Sequence, residues 1–158
     1  EQPLISGIAF SKDEAKLTVL GVHDVPGIAS KILGPISDAN IEVDMIVQNV
    51  AADMSTDFTC TVSRSDYEQA MEILTGVSKE IGAREVTGDN NIVKLSIVGV
   101  GMRSHAGVAT RMFRALSDES INIQMISTSE IKISVVIEQK YLELAVRSLH
   151  TAFELEEN

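Results

Sequence analysis

The feature that most constrains the fold is an internal repeat, in which residues 27–46 match residues 107–126 at a constant offset of 80. The identical pairs are Gly27/Gly107, Ala29/Ala109, Ser37/Ser117, Asp38/Asp118, Ile41/Ile121, Met45/Met125 and Ile46/Ile126. A repeat of this kind means that one supersecondary unit occurs twice along the chain. The chain is therefore predicted to contain two copies of one small module.

The first copy combines segments that alternate like strands with segments whose apolar residues have helical spacing. The predicted strands are Lys16–Val22, Ile41–Gln48, Thr56–Val62 and Ala83–Thr87, and the predicted helices are Gly27–Ala39 and Ser65–Ile81. A capping box of Ser65 and Glu68 predicts where the second helix begins. The cluster Gly88–Asn91 predicts a turn at the module boundary.

The second copy repeats this order but ends without a fourth strand. Its predicted strands are Val93–Val100, Ile121–Ser127 and Ile131–Ile137, and its predicted helices are Gly107–Glu119 and Tyr141–Phe153. Only Glu154–Asn158 follow, whereas the β-prone segment Leu4–Phe10 has no place in the first copy. Because an unpaired sheet edge is a liability, Leu4–Phe10 is predicted to complete the second module.

These elements predict an α+β fold class with two ferredoxin-like βαββαβ modules, the first inserted into the second. The first domain is predicted to span residues 16–88, and the second to span residues 2–15 plus 92–155. The chain begins with Glu1, which is compatible with a natural small subunit made from an internal start or with a piece of a longer protein.

Charge and cysteine content exclude several classes of function. The 13 basic and 23 acidic residues give a net charge of −10, which disfavours binding to nucleic acid or to anionic membranes. No apolar run approaches the roughly 18 residues that a membrane span requires. The single Cys60 fits a reducing compartment and a small buried apolar role. The chain is predicted to be cytoplasmic, with no nucleic-acid or membrane partner.

The sequence lacks the motifs of common catalytic sites. It has no P-loop, no zinc-protease helix motif and no nucleophile elbow. His23, His105 and His150 have no acid or cysteine at ligand spacing, so no metal site and no cofactor are predicted. The segment Gly99–Ser104 is similar to a dinucleotide-binding loop, but serine replaces its third glycine and no acid ends the next strand.

Two strand-to-helix loops carry groups suited to a small ligand. In the first, Pro26 fixes a turn, Gly27 lets backbone N–H groups approach a ligand, and the helix N-terminus favours a carboxylate. Asp24 beside these donors is suited to an ammonium group, so the loop suits a free α-amino acid. The alternative is that Asp24 caps the helix and the Pro-Gly pair only turns the chain.

The second loop, Met102–Ala109, offers a related cradle without the acid or the proline. At the offset of 80, Glu42, Asp44 and Gln48 correspond to Asn122, Gln124 and Thr128. The two copies therefore share a scaffold and differ in their polar groups. Either two pockets of different specificity or neutral divergence of the two copies would account for this difference.

Three segments resemble the tandem ACT domains at the regulatory end of aspartate kinases. They are Asp44–Val50 (DMIVQNV), Ser96–Gly107 (SIVGVGMRSHAG) and Ile121–Ser134 (INIQMISTSEIKIS), and the resemblance runs from Leu4 to Leu155. It implies two effectors, threonine and lysine, bound between the first ACT domain of one chain and the second of its partner in a homodimer. It also implies that the catalytic chain or domain of an aspartate kinase is a partner, and that this chain has no catalysis of its own.

Carried over position by position, the resemblance implies two effector sites. The threonine site comprises Asp24, Pro26, Gly27, Ile28, Ala29 and Gln48 of one chain with Asn122 and Ile123 of its partner. The second, lysine site comprises Asp44, Met102, Ser104, His105, Gly107, Val108, Ala109, Thr110, Ser129 and Glu130.

The predicted function is end-product feedback inhibition of aspartate-family amino-acid biosynthesis. Two alternatives stay open at this point. One is a small ferredoxin-like enzyme, although no convergent set of acid, base and nucleophile is present. The other is an ACT-type amino-acid sensor that regulates a different enzyme.

Overall fold

The computed structural model describes residues 4–102 and 106–155. Within these residues it contains six strands and four α-helices. In chain order they are β1 (Leu4–His23), α1 (Ile28–Asp38), β2 (Val43–Val50), β3 (Ser55–Val62), α2 (Tyr67–Ile81), β4 (Glu85–Val100), α3 (Ala106–Asp118), β5 (Met125–Thr128), β6 (Lys132–Glu138) and α4 (Leu142–Ala152). Short 3₁₀ turns, Arg64–Asp66 and Gln139–Tyr141, lead into α2 and α4.

The chain divides into two compact units with separate cores. Asp13–Asn90 form one unit, called the inner unit, and the residues up to Lys12 together with those from Asn91 onward form the outer unit. β1 and β4 each contribute residues to both units. The predicted fold class of two ferredoxin-like modules, the first inserted into the second, is confirmed. The domain limits 16–88 and 2–15 plus 92–155 stay a prediction.

The inner unit is a sheet with α1 and α2 packed on one face. Its strand order is β2-β3-β1-β4, and β1 pairs antiparallel with β3 so that Leu17 lies opposite Cys60. Ile32 of α1 and Leu74 of α2 are fully buried and pack in the same core as these two residues.

The outer unit repeats this arrangement from two separate chain segments. Its strand order is β1-β4-β6-β5, and β4 pairs antiparallel with β6 so that Leu95 lies opposite Val135. Met112 of α3 is fully buried in this core. Ile5 of β1 packs against the same core, so residues 4–12 supply the strand that the second copy lacks.

The repeat is visible in the backbone as well as in the sequence. Asn40 and Ser120 lie 80 residues apart, follow α1 and α3, and both have a φ of 58°. The residue after each donates its N–H to a carbonyl five residues earlier (3.2 and 3.0 Å), as in a Schellman-type helix ending. The two copies have therefore kept the geometry of this ending even where the residue type differs.

The capping box predicted from Ser65 and Glu68 is wrong. α2 begins at Tyr67, after the 3₁₀ turn of Arg64–Asp66, and its N-cap makes no side-chain hydrogen bond. A distant residue holds the turn instead. The carboxylate of Asp13 accepts hydrogen bonds from the serine hydroxyl before the turn (2.8 Å) and from the N–H of its first residue (2.9 Å). These bonds hold the pKa of Asp13 below its ordinary value.

The turn predicted at Gly88–Asn91 is also wrong, because these residues lie inside the continuous strand β4. The side chains of Tyr67 and Met71 lie so close to Gly88 that a Cβ atom at this position would collide with both. The glycine therefore allows α2 to pack closely on the strand and does not form a turn.

Some predicted strand limits differ from the structure as well. β1 is one strand of 20 residues, where the sequence predicts Leu4–Phe10 and Lys16–Val22 as separate strands. The sequence predicts a strand over Ile121–Ser127, whereas the observed strand β5 covers only Met125–Thr128. Ile121 is buried in the outer core but precedes the strand, because its N–H completes the ending of α3.

Candidate functional site

The first candidate loop joins β1 to α1 in the inner unit. Gly27 is the N-cap of α1 and has φ 88° and ψ −1°, a left-handed conformation that glycine adopts without strain. The N–H of Ile28 donates to the carbonyl of Val25 (3.2 Å), which closes the turn in front of the helix. Val25, Pro26 and Gly27 are exposed, so the loop backbone is accessible.

A neighbouring turn positions Asp24. The Asp24 N–H donates to the carbonyl of Met54 (3.1 Å), in the turn between β2 and β3. That turn is held by Asp53, whose carboxylate accepts hydrogen bonds from the hydroxyl (2.6 Å) and the N–H (3.0 Å) of Ser55. The same bonds hold the pKa of Asp53 below its ordinary value. The half-buried Asp24 is thus fixed in front of α1.

The N-terminus of α1 is electrostatically suited to an anion. The first N–H groups of a helix have no partner inside the helix, and the helix dipole adds partial positive charge there. The N-cap makes no side-chain hydrogen bond, and the first turn contains no acidic residue. Gly27 occupies the N-cap position, so Asp24 is not the capping residue that the alternative interpretation requires. A carboxylate is the group that best complements this helix end.

Gln48 lies at the same end of the inner sheet as this loop. β1 and β2 both end beside the first residues of β3. Gln48 is directly opposite Phe58 of β3, and Phe58 packs in the core that contains Ile28 of α1. Because residues directly opposite each other share a face, Gln48 lies on the face that carries α1. Its side chain is exposed.

The remaining two residues of the predicted threonine site lie in the outer unit. Asn122 and Ile123 belong to the segment between α3 and β5. Asn122 is exposed, and Ile123 is half-buried against the outer core. The predicted threonine residues are thus divided between the two units.

The predicted lysine site is divided in the same way. Asp44 is exposed on β2 of the inner unit, and the other described positions belong to the outer unit. Gly107 and Thr110 are exposed near the start of α3. Ser104 and His105 lie outside the described residues.

Several positions of the predicted lysine site have structural roles. The side chains of Met102 and Val108 are buried in the outer core, and Ala109 packs against it. The side chains of Met102 and Val108 are therefore not available to a ligand in this chain. The Met102 N–H donates to the carbonyl of Glu130 (3.0 Å), which brings two predicted residues together. The Ser129 hydroxyl accepts hydrogen bonds from the N–H groups two and three residues later (3.4 and 3.2 Å) and stabilises the turn before β6.

The two edge strands carry an exposed apolar strip that was not predicted from the sequence. On β2, Ile46 and Val50 are 52% and 56% exposed, and Gln48 lies between them on the same face. On β5, the repeat partner of Ile46, Ile126, is 47% exposed. The signal in the sequence is that Ile46 and Ile126 are identical in the two copies although neither position is buried.

Other kinds of site find little support in the part of the chain that is described. Within residues 4–102 and 106–155, no group of three His, Cys, Asp or Glu residues could hold a metal ion. In the same ranges, no helix is long and apolar enough to cross a membrane. Cys60 is buried in the inner core, and this burial raises the pKa of its thiol to about 11. The thiol is therefore protonated at neutral pH and unsuited to nucleophilic attack.

Two ferredoxin-like modules, each with a helix that starts where its first strand ends, define this chain as a tandem ACT-domain protein. Models of the ACT domain family match residues 16–78 and residues 95–153. A solved structure of aspartokinase alpha and beta subunits matches with 57% identity and a TM-score of 0.90, over 96% of this chain and 99% of that chain. The regulatory subunit of aspartate kinase from Thermus thermophilus matches with 39% identity and a TM-score of 0.90, over 95% of this chain and 99% of that chain.

This chain therefore belongs to the family of regulatory ACT domains of aspartate kinases. An aspartate kinase of Stutzerimonas stutzeri is 74% identical over 156 residues, which are 99% of this chain and 38% of that protein. An aspartate kinase of Pseudomonas fluorescens is 75% identical over the same length, again 38% of that protein. The chain thus spans 38% of the length of these curated relatives.

Proposed function

We propose that this chain senses amino-acid end products for an aspartate kinase. It binds threonine at one site and lysine at a second, and this binding inhibits the catalytic domain or chain of the kinase. The observation that carries the proposal is the arrangement of the α1 N-terminus, Asp24 and Gln48 at one end of the inner sheet. Each of these groups matches one functional group of free threonine.

The chemistry of threonine is matched group by group. Its carboxylate is complementary to the positive N-terminal end of α1 at Gly27–Ala29. Its ammonium group is complementary to the carboxylate of Asp24. Its hydroxyl both donates and accepts, as does the carboxamide of Gln48. Gly27 and Gln48 are exposed and Asp24 is half-buried, so tight binding requires a further part of the protein to exclude water.

A second copy of the chain is the proposed source of that cover. Ile46 and Val50 flank Gln48 on an edge strand and are exposed. Exposed apolar residues on a sheet edge favour association with another chain. A partner that covers this strip also covers Gln48. Asn122 and Ile123 of the partner subunit then close the threonine site in a homodimer.

Threonine is expected to bind at least about tenfold more tightly than valine. Valine has nearly the same shape but no hydroxyl, so it would leave the polar groups of the site without a hydrogen-bond partner. Asp24→Ala and Gln48→Ala should each weaken threonine binding by about 1–3 kcal/mol, measured by calorimetry. Asp38→Ala and Gln69→Ala are matched controls, since these exposed side chains lie at the other end of α1 and on α2. Equal heats for threonine and valine would contradict the assignment.

The composite nature of the site is tested by mixing two variants. Asp24→Ala and Asn122→Ala should each bind threonine weakly when alone. If each site takes Asp24 from one chain and Asn122 from the other, a dimer of one Asp24→Ala chain and one Asn122→Ala chain keeps one intact site. Mixing should therefore restore a fraction of the tight sites. A mixture that binds no better than the separate variants, or sedimentation as a monomer in the presence of threonine, would refute the composite site.

Lysine binding is expected to weaken about tenfold or more in Asp44→Ala, while threonine binding stays unchanged. The reason is that the ε-ammonium group of the lysine side chain requires a carboxylate partner, whereas the threonine side chain has no ammonium group. Glu42→Ala is the matched control, since Glu42 is exposed two residues earlier. Calorimetry with lysine and threonine on the three proteins measures the effect, and an unchanged lysine affinity in Asp44→Ala would rule out this role.

The regulatory part of the proposal is tested in a full-length aspartate kinase that contains this region. Threonine and lysine should lower its rate of aspartate phosphorylation, and Asp24→Ala should relieve the effect of threonine without changing the rate in its absence. If Asp24→Ala abolishes threonine binding but the kinase stays threonine-sensitive, the binding site stands and the regulatory role is wrong.

A further inference from the structure

An open groove of about 450 Å³ lies on the outer unit, bordered by α4 and by the first part of β1. β1 contributes Phe10 and Lys12, and α4 contributes Leu142, Glu143, Val146, Arg147 and His150. None of these residues belongs to the threonine or lysine site proposed above. The volume is within the range of roughly 300–1,000 Å³ that is typical of small-molecule sites.

The β1 wall of the groove carries an exposed aromatic ring. Ile8 packs against the outer core, which α3 and α4 cover. Side chains two residues apart on a strand share a face, so Phe10 and Lys12 lie on the same face as Ile8, the face that carries α4. Phe10 is 54% exposed, which means that α4 leaves much of its ring in contact with water.

The inner unit covers its strand at the matching place. α2 and α4 both start after a 3₁₀ turn, and their N-cap residues have nearly the same φ, −97° and −98°. Tyr67 and Met71, the first and fifth residues of α2, lie against Gly88 of β4. The first and fifth residues of α4 are Leu142 and Val146, which border the groove. Long side chains thus cover the strand in the inner unit, whereas shorter ones leave the groove in the outer unit.

Three nitrogen-bearing side chains border the same groove. Lys12 and Arg147 are exposed, and within residues 4–102 and 106–155 neither forms an ion pair. His150 is half-buried, and its Nδ1 atom is buried without a hydrogen-bond partner. A neutral imidazole carries one N–H, and placing it on Nε2 avoids burying an unpaired donor. His150 therefore offers its donor through Nε2.

Glu143 is the one acidic residue among the described lining residues. It lies in the first turn of α4, four residues before Arg147 and seven before His150. At a rise of 1.5 Å per residue, these separations are about 6 and about 10 Å along the helix axis. The acid therefore lies at one end of the α4 wall and the two donors lie towards the other. In a chain with a net charge of −10, the donor end is a local site that favours an anion.

We propose that this groove binds a small aromatic carboxylate. The guanidinium of Arg147 presents paired N–H donors that match the two carboxylate oxygens, and Lys12 and His150 add an ammonium group and an N–H donor. The aromatic ring packs on Phe10 and Val146, because this contact removes apolar surface from water. The proposal is independent of the proposed threonine and lysine sites, because it shares no residue with them.

The test is an NMR titration of the whole 158-residue chain with benzoate, benzyl alcohol and acetate as probes. Benzoate at millimolar concentration is expected to shift the resonances of Phe10, Val146 and Arg147 in a saturable way. Benzyl alcohol has the ring without the charge, and acetate has the charge without the ring, so both should bind more weakly. No saturable shift with benzoate, or an equal affinity for either of the other two probes, would overturn the proposal.

Variants locate the binding to this groove. Arg147→Gln and Phe10→Ala should each weaken benzoate binding by about three- to tenfold. Arg114→Gln is the matched control, because it removes the same charge from an exposed position on α3 of the same unit, outside the groove. If Phe10→Ala lowers the melting temperature, Arg147→Gln decides the result. Unchanged affinity in Arg147→Gln, an equal loss in Arg114→Gln, or displacement of benzoate by threonine or lysine would each overturn the proposal.

Discussion

Deletion of residues 1–10 is expected to unfold the outer unit and to leave the inner unit folded. Ile5 and Ile8 pack against the outer core, and the inner core contains no residue of the deleted segment. Both side chains are partly buried, so each contributes less than the about 1.5–3 kcal/mol of a fully buried one. The deletion also removes the pairing of β1 with β4 in this unit. Domains are stable by only about 5–15 kcal/mol, so losses on this scale are expected to unfold the unit.

Hydrogen exchange measures this effect separately in the two units. The amides of β6 should lose protection in the deleted chain, whereas those of β3 should keep it. Ser6→Ala is the matched control, because Ser6 is exposed within the same segment and its loss removes neither the strand nor its packing. Full protection of residues 132–138 after the deletion would disprove the role of this strand.

Replacing Gly21 with alanine is expected to destabilise the inner unit by about 2–4 kcal/mol. Gly21 has a φ of 66°, and a Cβ atom there would lie 2.9 Å from the Cβ of Arg84. The pairing register between β1 and β3 is irregular between Val19 and Val22, so the glycine lies at a bulge. Alanine at this position meets both backbone strain and a close contact that Arg84 can relieve only by moving its backbone.

Urea unfolding of Gly21→Ala and Gly76→Ala separates this effect from the general effect of adding a methyl group. Gly76 lies inside α2, and no atom lies within 4 Å of its added Cβ. Alanine there should stabilise the chain by about 0.5–1 kcal/mol, because glycine is unfavourable inside a helix. A loss of stability in both variants, or in neither, would contradict the argument.

The helices could be predicted from the sequence because an apolar helix face depends on residues three and four apart. The predicted helices Gly27–Ala39 and Tyr141–Phe153 each differ from the observed α1 and α4 by one residue at either end. The helix endings are local as well, since the left-handed residues Asn40 and Ser120 occupy equivalent positions in the two copies.

The strand limits and the start of α2 could not be predicted in this way. The residues at Gly88–Asn91 prefer turns, but such preferences amount to about 1 kcal/mol or less per residue. In the structure, Ile92 is fully buried and α2 packs closely over Gly88, which favours the extended strand. The turn before α2 is likewise held by Asp13, about 50 residues away in the chain.

By itself, the sequence determined that the chain consists of two copies of one module, and it predicted ligand sites at two strand-to-helix loops. These properties depend on residues that are close together in the chain. Only the tertiary structure decided that β1 and β4 each contribute to both units and that Asp13 holds the turn before α2. Strand pairing and side-chain packing join residues that are far apart in sequence, and their combined free energy exceeds the local preferences that a sequence pattern reports.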